Sequence, residues 1–555
     1  MDIDYRRLDS VRQQHGEIEN HVVDEFLAGR LSRRDFLRRG AAVGIGLPVL
    51  GSILAACGSS GNKSPQGGNT GGGGRGATIK VAIVTPTGSI NPLTVADQGG
   101  LDMLGQTGEY LCLSGQTLGL NPVLATKWTP DSTGSVWTFD LRQGVKFHDG
   151  SALTADDVVY TYKLHTDKKN GSAALSAFTG VLVPDGVVKV DDHTVAFHLE
   201  APNGNFPYLC SSDNYNMIIL PKGYDPTKWE SSFIGTGPFV KSGYSAKVGA
   251  SFARNESYWG TKALPAGTQF TFYEAQTPEV LALESNSIDV IGQFALQGAQ
   301  GLLAYNVINL KSSAHRELSM RCDQKPFTDP RVRQAIALTL PRPDIVKALF
   351  NGYAVIGNDS PFAPIFPSTD SSVAQRTQDL TKAKALLSAA GYPNGFTTQL
   401  VTEQLQEIPA LAQIVKANAA KIGVNINLTV ETSSNYYGKG VYGQSDWLDG
   451  TMSLVDYGHR GVPNVFLGAP LQSSGTWNGA HFKDPAYDSL VSRYVAAVDL
   501  TSQRSAAKQI QTLLLEQTPI IYAYFYNYLT AMAKNVSGAY PTAIGHIFLY
   551  NTTKS

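Results

Sequence analysis

The stretch from Thr397 to Glu431 constrains the fold more than any other part of this chain. "TTQLVT" (397–402) reads as a strand, and "IPALAQIVKANAAKIG" (408–423) reads as a helix that Gly423 ends. "VNINLTVE" (424–431) then alternates Val424, Ile426, Leu428 and Val430, the period of a second strand. Strand, helix and strand within about 30 residues imply a parallel pair joined by a right-handed crossover.

Other segments repeat the mixture of strands and helices. Ile79 to Val84 is apolar enough for a buried strand. "SVWTFDLR" alternates Trp137, Phe139 and Leu141, and "HTVAFHLE" alternates Val195, Phe197 and Leu199. The polar turn at Asp191 and Asp192 makes "GVVKV" the hairpin partner of the latter. Thr154 followed by Asp157 predicts a capping box, and Asp329-Pro330 predicts a helix start. Helices are also predicted at about 486–498 and 501–517, before a strand beginning at Ile520. Mixed elements over the 479 residues from Ala77 to Ser555 point to an α/β protein of two lobes.

The first 76 residues have a different character. Ala41 to Ala56 carries no charge, follows Arg33, Arg34, Arg38 and Arg39, and is interrupted by Gly44, Gly46, Pro48 and Gly51. It is shorter than the roughly 20 apolar residues of a membrane span and fits the apolar core of an export signal. Ser32-Arg33-Arg34-Asp35-Phe36-Leu37 resembles a twin-arginine signal, and Leu54-Ala55-Ala56-Cys57 resembles the lipobox of bacterial lipoproteins. That likeness makes residues 1–56 a removed signal and Cys57 the acylated mature N-terminus. Nine glycines in residues 58–76 then suit a flexible tether rather than a core.

Residues 1–56 hold eight basic and eight acidic side chains, so the mature chain keeps the formal charge of −1. Without a basic excess, nucleic acid is not an expected partner. Three cysteines remain (Cys112, Cys210 and Cys322), and the sequence leaves open which of them, if any, pair. There is no His-Glu-x-x-His, Cys-x-x-Cys or Gly-x-Ser-x-Gly motif, so neither an enzyme nor a bound cofactor is expected. His193 and His198 lie five apart in a predicted strand and face opposite sides, a poor metal pair.

"LATKWTPDSTGSVWTFDLRQGVKFHDGSALTADDVVYTYKLH" (124–165) resembles the signature region of the large solute-binding proteins of bacterial peptide and nickel ABC importers. The likeness continues at "IGTGPFV" (234–240), "ARNESYWG" (253–260), "KPFTDPRVRQAIALTL" (325–340), "AKALLSAAGYPNGF" (383–396) and "TPIIYAYFYNYL" (518–529). It implies a bilobal periplasmic-binding-protein-like α/β fold, with an extra subdomain in the first lobe and ligand held between hinged lobes. On that basis the first lobe is expected at 77–100, 216–318 and 520–555, its subdomain at 101–215, and the second lobe at 319–519. Gly235 and Gly237 are expected at positive φ before Pro238. Where relatives carry Asp-Arg, this chain has Pro341-Arg342, which is expected to alter one helix start.

The resemblance also implies a site. In peptide-binding relatives an aspartate in the segment matching "LVDYGHRGVPNVFL" (454–467) pairs with the α-amino group of the ligand; Asp456 and Tyr457 match it here. Arg460 either pairs with a ligand carboxylate or bridges a surface acid. Trp477 either stacks on ligand or packs in the core. Tyr522, Tyr524, Tyr526 and Tyr528 alternate and are expected to point one way, with Tyr524 and Tyr526 touching the cleft. The expected function is an exported, lipid-anchored receptor on the outer face of the membrane. It would pass peptides or similar zwitterionic solutes to an ABC permease and its ATPase. A sensory or scaffold protein of the same fold, or a nickel-chelate binder, is the alternative.

Overall fold

The computed structural model describes residues 76–555. Arg33, Arg34 and Cys57 lie outside the described residues. Two sheets organise the rest. The first has seven strands in the order Asn306–Leu310, Tyr528–Met532, Val290–Phe294, Thr78–Val84, Gly267–Tyr273, Gly249–Arg254 and Phe239–Ser245. The second has six: Ala354–Ile356, Ile520–Tyr526, His315–Met320, Met452–Tyr457, Phe396–Glu403 and Val424–Glu431. A four-stranded antiparallel sheet (Ala125–Pro130, Val136–Leu141, Thr194–His198, Val187–Asp191) stands beside the first.

Local sequence explains most of these elements. Strands Phe396–Glu403 and Val424–Glu431 pair in parallel around helix Ile408–Ala420, and Gly423 takes φ 84° after it. Helix Ala155–Thr166 opens on the expected capping box, the Thr154 N–H donating to Asp157 Oδ2 at 2.7 Å. Asp329 caps helix Pro330–Ala337 by accepting from the Arg331 N–H at 2.9 Å. Aromatic packing ties the four-stranded sheet to its helix: Tyr162 of the helix meets both Phe178 and Phe197, and Phe197 meets Phe139 at 5.2 Å. All four belong to the core that also covers the seven-stranded sheet, so this subdomain is fused to the first lobe by a common apolar interior.

Several expectations need correction. Gly235 and Gly237 are not at positive φ. They are glycines because a Cβ would meet the Thr107 carbonyl oxygen at 2.0 and 2.7 Å, a close backbone approach. The chain passes between the two large sheets at residues 311–314 and at Asn527, not near 318 and 519. His315–Met320 and Ile520–Tyr526 are therefore both interior strands of the second sheet. Helix Arg342–Phe350 starts on Pro341 without a side-chain cap, and Arg342 turns inward to Asp359 instead.

The four tyrosines do not share a face. A bulge between Tyr522 and Phe525 adds one residue against His315–Glu317, so alternation is broken there. Tyr522 meets Glu317, whereas Tyr524 and Tyr526 lie on the side of Arg316; Tyr528 belongs to the other sheet.

Candidate ligand-binding cleft

The site-bearing residues sit where the second sheet meets the two crossings. His315–Met320 runs antiparallel to Met452–Tyr457, with Arg316 opposite Asp456 and His315 opposite Tyr457. Cross-strand partners share a face, so this register alone brings a buried guanidinium to the expected ligand aspartate. Arg316 Nη1 donates to Asp456 Oδ1, while its Nε and Nη2 donate to the two oxygens of Glu407 at 2.9 and 3.2 Å. Nη2 also reaches Gln406 Oε1 at 3.0 Å.

Tyr526 completes the cluster from above: its ring lies 4.4 Å from the guanidinium carbon, and its hydroxyl donates to Asp456 Oδ1 at 3.2 Å. Tyr524 supports it from below, donating to Glu407 Oε1 at 2.8 Å from a fully buried position. Burial opposes charge on Arg316, but Tyr526, Glu407 and Tyr524 outweigh it and the guanidinium is held more firmly protonated than in water. Burial pushes both phenols up, so they act as donors at any physiological pH.

Asp456 is thus no hydrated carboxylate waiting in an open cleft. Its Oδ1 is taken by two protein donors, and among the described residues Oδ2 carries no hydrogen bond. Its side chain keeps 29 % exposure against 1 % for Arg316, so a solute can reach Asp456, as it can the exposed Gln406 and the half-buried Tyr526, but not the guanidinium.

Tyr457 projects to the opposite face of the sheet. Its ring stacks on His315 at 5.6 Å, and Trp477 packs beside it at 6.3 Å. The Tyr457 hydroxyl is buried without a partner among the described residues. Trp477 is half-buried, so it both packs against the core and keeps one side open. Two of the expected groups, Asp456 with the tyrosines and Tyr457 with Trp477, therefore flank the same strand end from its two sides.

Arg460 follows in the loop, donating to the His459 carbonyl at 2.8 Å while its own N–H donates to Ser313 Oγ at 2.9 Å. The loop also holds the first crossing: the N–H and hydroxyl of Ser313 both lie 3.0 Å from His459 Nδ1. Burial pulls His459 down to about 3, so it stays neutral and can accept there.

Opposite Arg460 stands Asp213 of the first lobe, whose Oδ2 is shut off from solvent without a partner. Neighbouring residues bridge the lobes as well: Asn205 Nδ2 to Asn464 Oδ1 at 2.9 Å, and the Gly204 N–H to the Val495 carbonyl at 2.8 Å. Burial pushes the Asp213 carboxyl up to about 7, with Ser114 and the charge of Arg460 pulling the other way. The folded protein then holds a proton that the unfolded chain releases near pH 4. Stability contributed by Asp213 is accordingly lost as pH rises from about 4 to 7, by on the order of a few kcal/mol in all. Asp213→Asn should flatten that part of the curve of unfolding free energy against pH. An unchanged slope in urea titrations at pH 5 and 7.5 would contradict it.

Sequence reasoning missed Arg316, Glu407 and Gln406. The signal was present in "AHRELSM", where two charged residues stand in the middle of a strand otherwise built for burial.

Residues 119–474 match the family model described as bacterial extracellular solute-binding proteins, family 5. The chain belongs to this family. It is 26% identical over 450 residues to the dipeptide-binding protein of Escherichia coli (strain K12), covering 75% of this chain and 83% of that one. It is equally 26% identical to heme-binding protein A of Haemophilus influenzae, covering 78% and 84%. Among solved structures, HbpA2 from Haemophilus parasuis superposes with a TM-score of 0.75 at 23% identity, covering 86% of this chain and all of that one. The murein tripeptide binding protein MppA in its unliganded open form gives 0.73 at 21% identity, covering 86% and 97%. The two-lobed α/β fold and a solute-binding role follow from membership, and family 5 proteins are binding proteins rather than enzymes.

Proposed function

We propose that this family 5 protein captures peptides or similar zwitterionic solutes outside the cytoplasm and delivers them to an ABC permease with its ATPase. The observation that carries the reading is Asp456. It stands at a strand end beside both crossings, with one carboxylate oxygen free of partners among the described residues. A ligand N–H donor there gains a charge-assisted hydrogen bond of roughly 1.5–3 kcal/mol. Tyr457, Trp477 and Tyr526 would supply apolar and hydroxyl contacts, and Arg460 would sit where the lobes meet. Relatives named for dipeptides, glutathione and di- or tripeptides favour this class over the heme-binding one. Two lobes joined by two short crossings suit hinge closure around the solute. The signal with Arg33 and Arg34, followed by Cys57 and the glycine tether, supports twin-arginine export and a lipid anchor on the outer face of the cell membrane.

One preparation tests the reading. Protein purified from the membrane fraction of its host should yield a mature chain beginning at acylated Cys57 by intact mass spectrometry. Denaturing it should release small peptides or amino-acid-like zwitterions. Release of a porphyrin or a metal chelate alone would defeat the ligand assignment, and a soluble, unacylated N-terminus would defeat the anchor.

A further inference from the structure

Arg316 is an internal counter-ion for the aspartate through which the ligand is held. Its guanidinium is 1 % exposed, donates to Asp456 Oδ1 and grips both oxygens of Glu407. Two carboxylates therefore share one cation that belongs to the protein, and among the described residues Asp456 Oδ2 is left without a hydrogen bond. An aspartate with no protein cation needs an ammonium from the ligand, because closing the lobes would otherwise strand a charge away from water. Here that need is partly met before any ligand arrives, since Arg316 offsets one of the two carboxylate charges. A neutral amide N–H can donate to Oδ2 of a carboxylate that already touches a cation, while an ammonium gains the attraction of Asp456 and Glu407 but meets the repulsion of Arg316. We infer that Arg316 is a positioning residue that relaxes the demand for a free amino group, so that the cleft accepts peptide-like ligands with a free or an acylated amino end. This rests on the peptide reading above and goes beyond it.

The test compares a mixed tripeptide library with the same library N-acetylated, each retained by the full protein in equilibrium dialysis and read by mass spectrometry. Wild type should retain free forms over acetylated ones by less than about ten-fold. Arg316→Gln combined with Glu407→Gln removes both buried charges together and leaves Asp456 without its cation. That variant should raise the ratio at least about ten-fold above wild type. Arg316→Lys, which keeps the charge, should stay near the wild-type ratio; a purely structural role for Arg316 would move retention of both libraries equally. A wild-type ratio above about ten-fold overturns the inference while leaving the peptide reading intact, and needs no variant. An unchanged ratio in the double variant overturns it too. If neither library is retained, the peptide reading falls and this inference with it.

Discussion

Arg316→Met should lower the unfolding free energy of the unliganded protein by about 3–5 kcal/mol, the cost of breaking a buried ion pair by removing one partner. Glu407 is only 4 % exposed, and without Arg316 its charge keeps the Tyr524 hydroxyl and no cation. Asp456 loses less, since it is partly solvated. Arg316→Met with Glu407→Gln should recover most of the loss, because the second change removes the stranded charge instead of adding a contact. Urea or guanidinium denaturation of the three proteins reads this directly. A single variant within about 1 kcal/mol of wild type would show that the network carries no net stability, as some buried ion pairs do not.

Asp359→Asn should have an effect of the same size in a different place. Asp359 is fully buried, accepts from Arg342 Nη2 at 2.7 and 2.8 Å, and accepts from Arg376 Nη1 at 2.6 Å. The Tyr522 N–H also points at it, at 3.2 Å. One carboxylate thus joins helix Arg342–Phe350, the segment ending at Arg376 and the bulged strand Ile520–Tyr526. Asparagine keeps the size and tolerates the φ of 49° at this position, so the expected loss of about 3–5 kcal/mol isolates charge from backbone strain. Arg342, with 2 % of its side chain exposed, would be left without an anion. A change below about 1 kcal/mol, with the midpoint unmoved, would mean that water or relaxation compensates the two guanidinia.

Both predictions concern charges that the sequence does not pair. Arg316 and Asp456 lie 140 residues apart, and Arg316 and Glu407 lie 91 apart. Nothing local distinguishes Glu407 from any acid preceding a helix. The choice of partner is made by strand register, and register is set by the burial of whole sheet faces. The resemblance singled out Asp456 but could not show that a protein cation already holds it. Arg460 illustrates the same limit. Its two sequence readings were a ligand carboxylate or a surface acid, whereas the structure sets it opposite the enclosed Asp213 of the other lobe.

What the sequence determined by itself was every element whose cause is local. The 397–431 crossover, the hairpin at Asp191, the capping box at Thr154 and the Asp329-Pro330 helix start all depend on residues within a turn or a strand length of each other. It also carried the family, because matching segments recur in order along the chain. Tertiary structure alone decided where the chain changes lobe, which tyrosines share a face and which charges meet. One extra residue in the strand from Ile520 to Tyr526 moves Tyr522 to the far side of the sheet, and strict alternation in the sequence carries no mark of it. Periodicity reports a residue's neighbours along its own element. A bulge, a lobe crossing or a buried ion pair is settled by packing against elements far away in the chain, where the desolvation of a charge has to be balanced by whichever partner the fold brings to it.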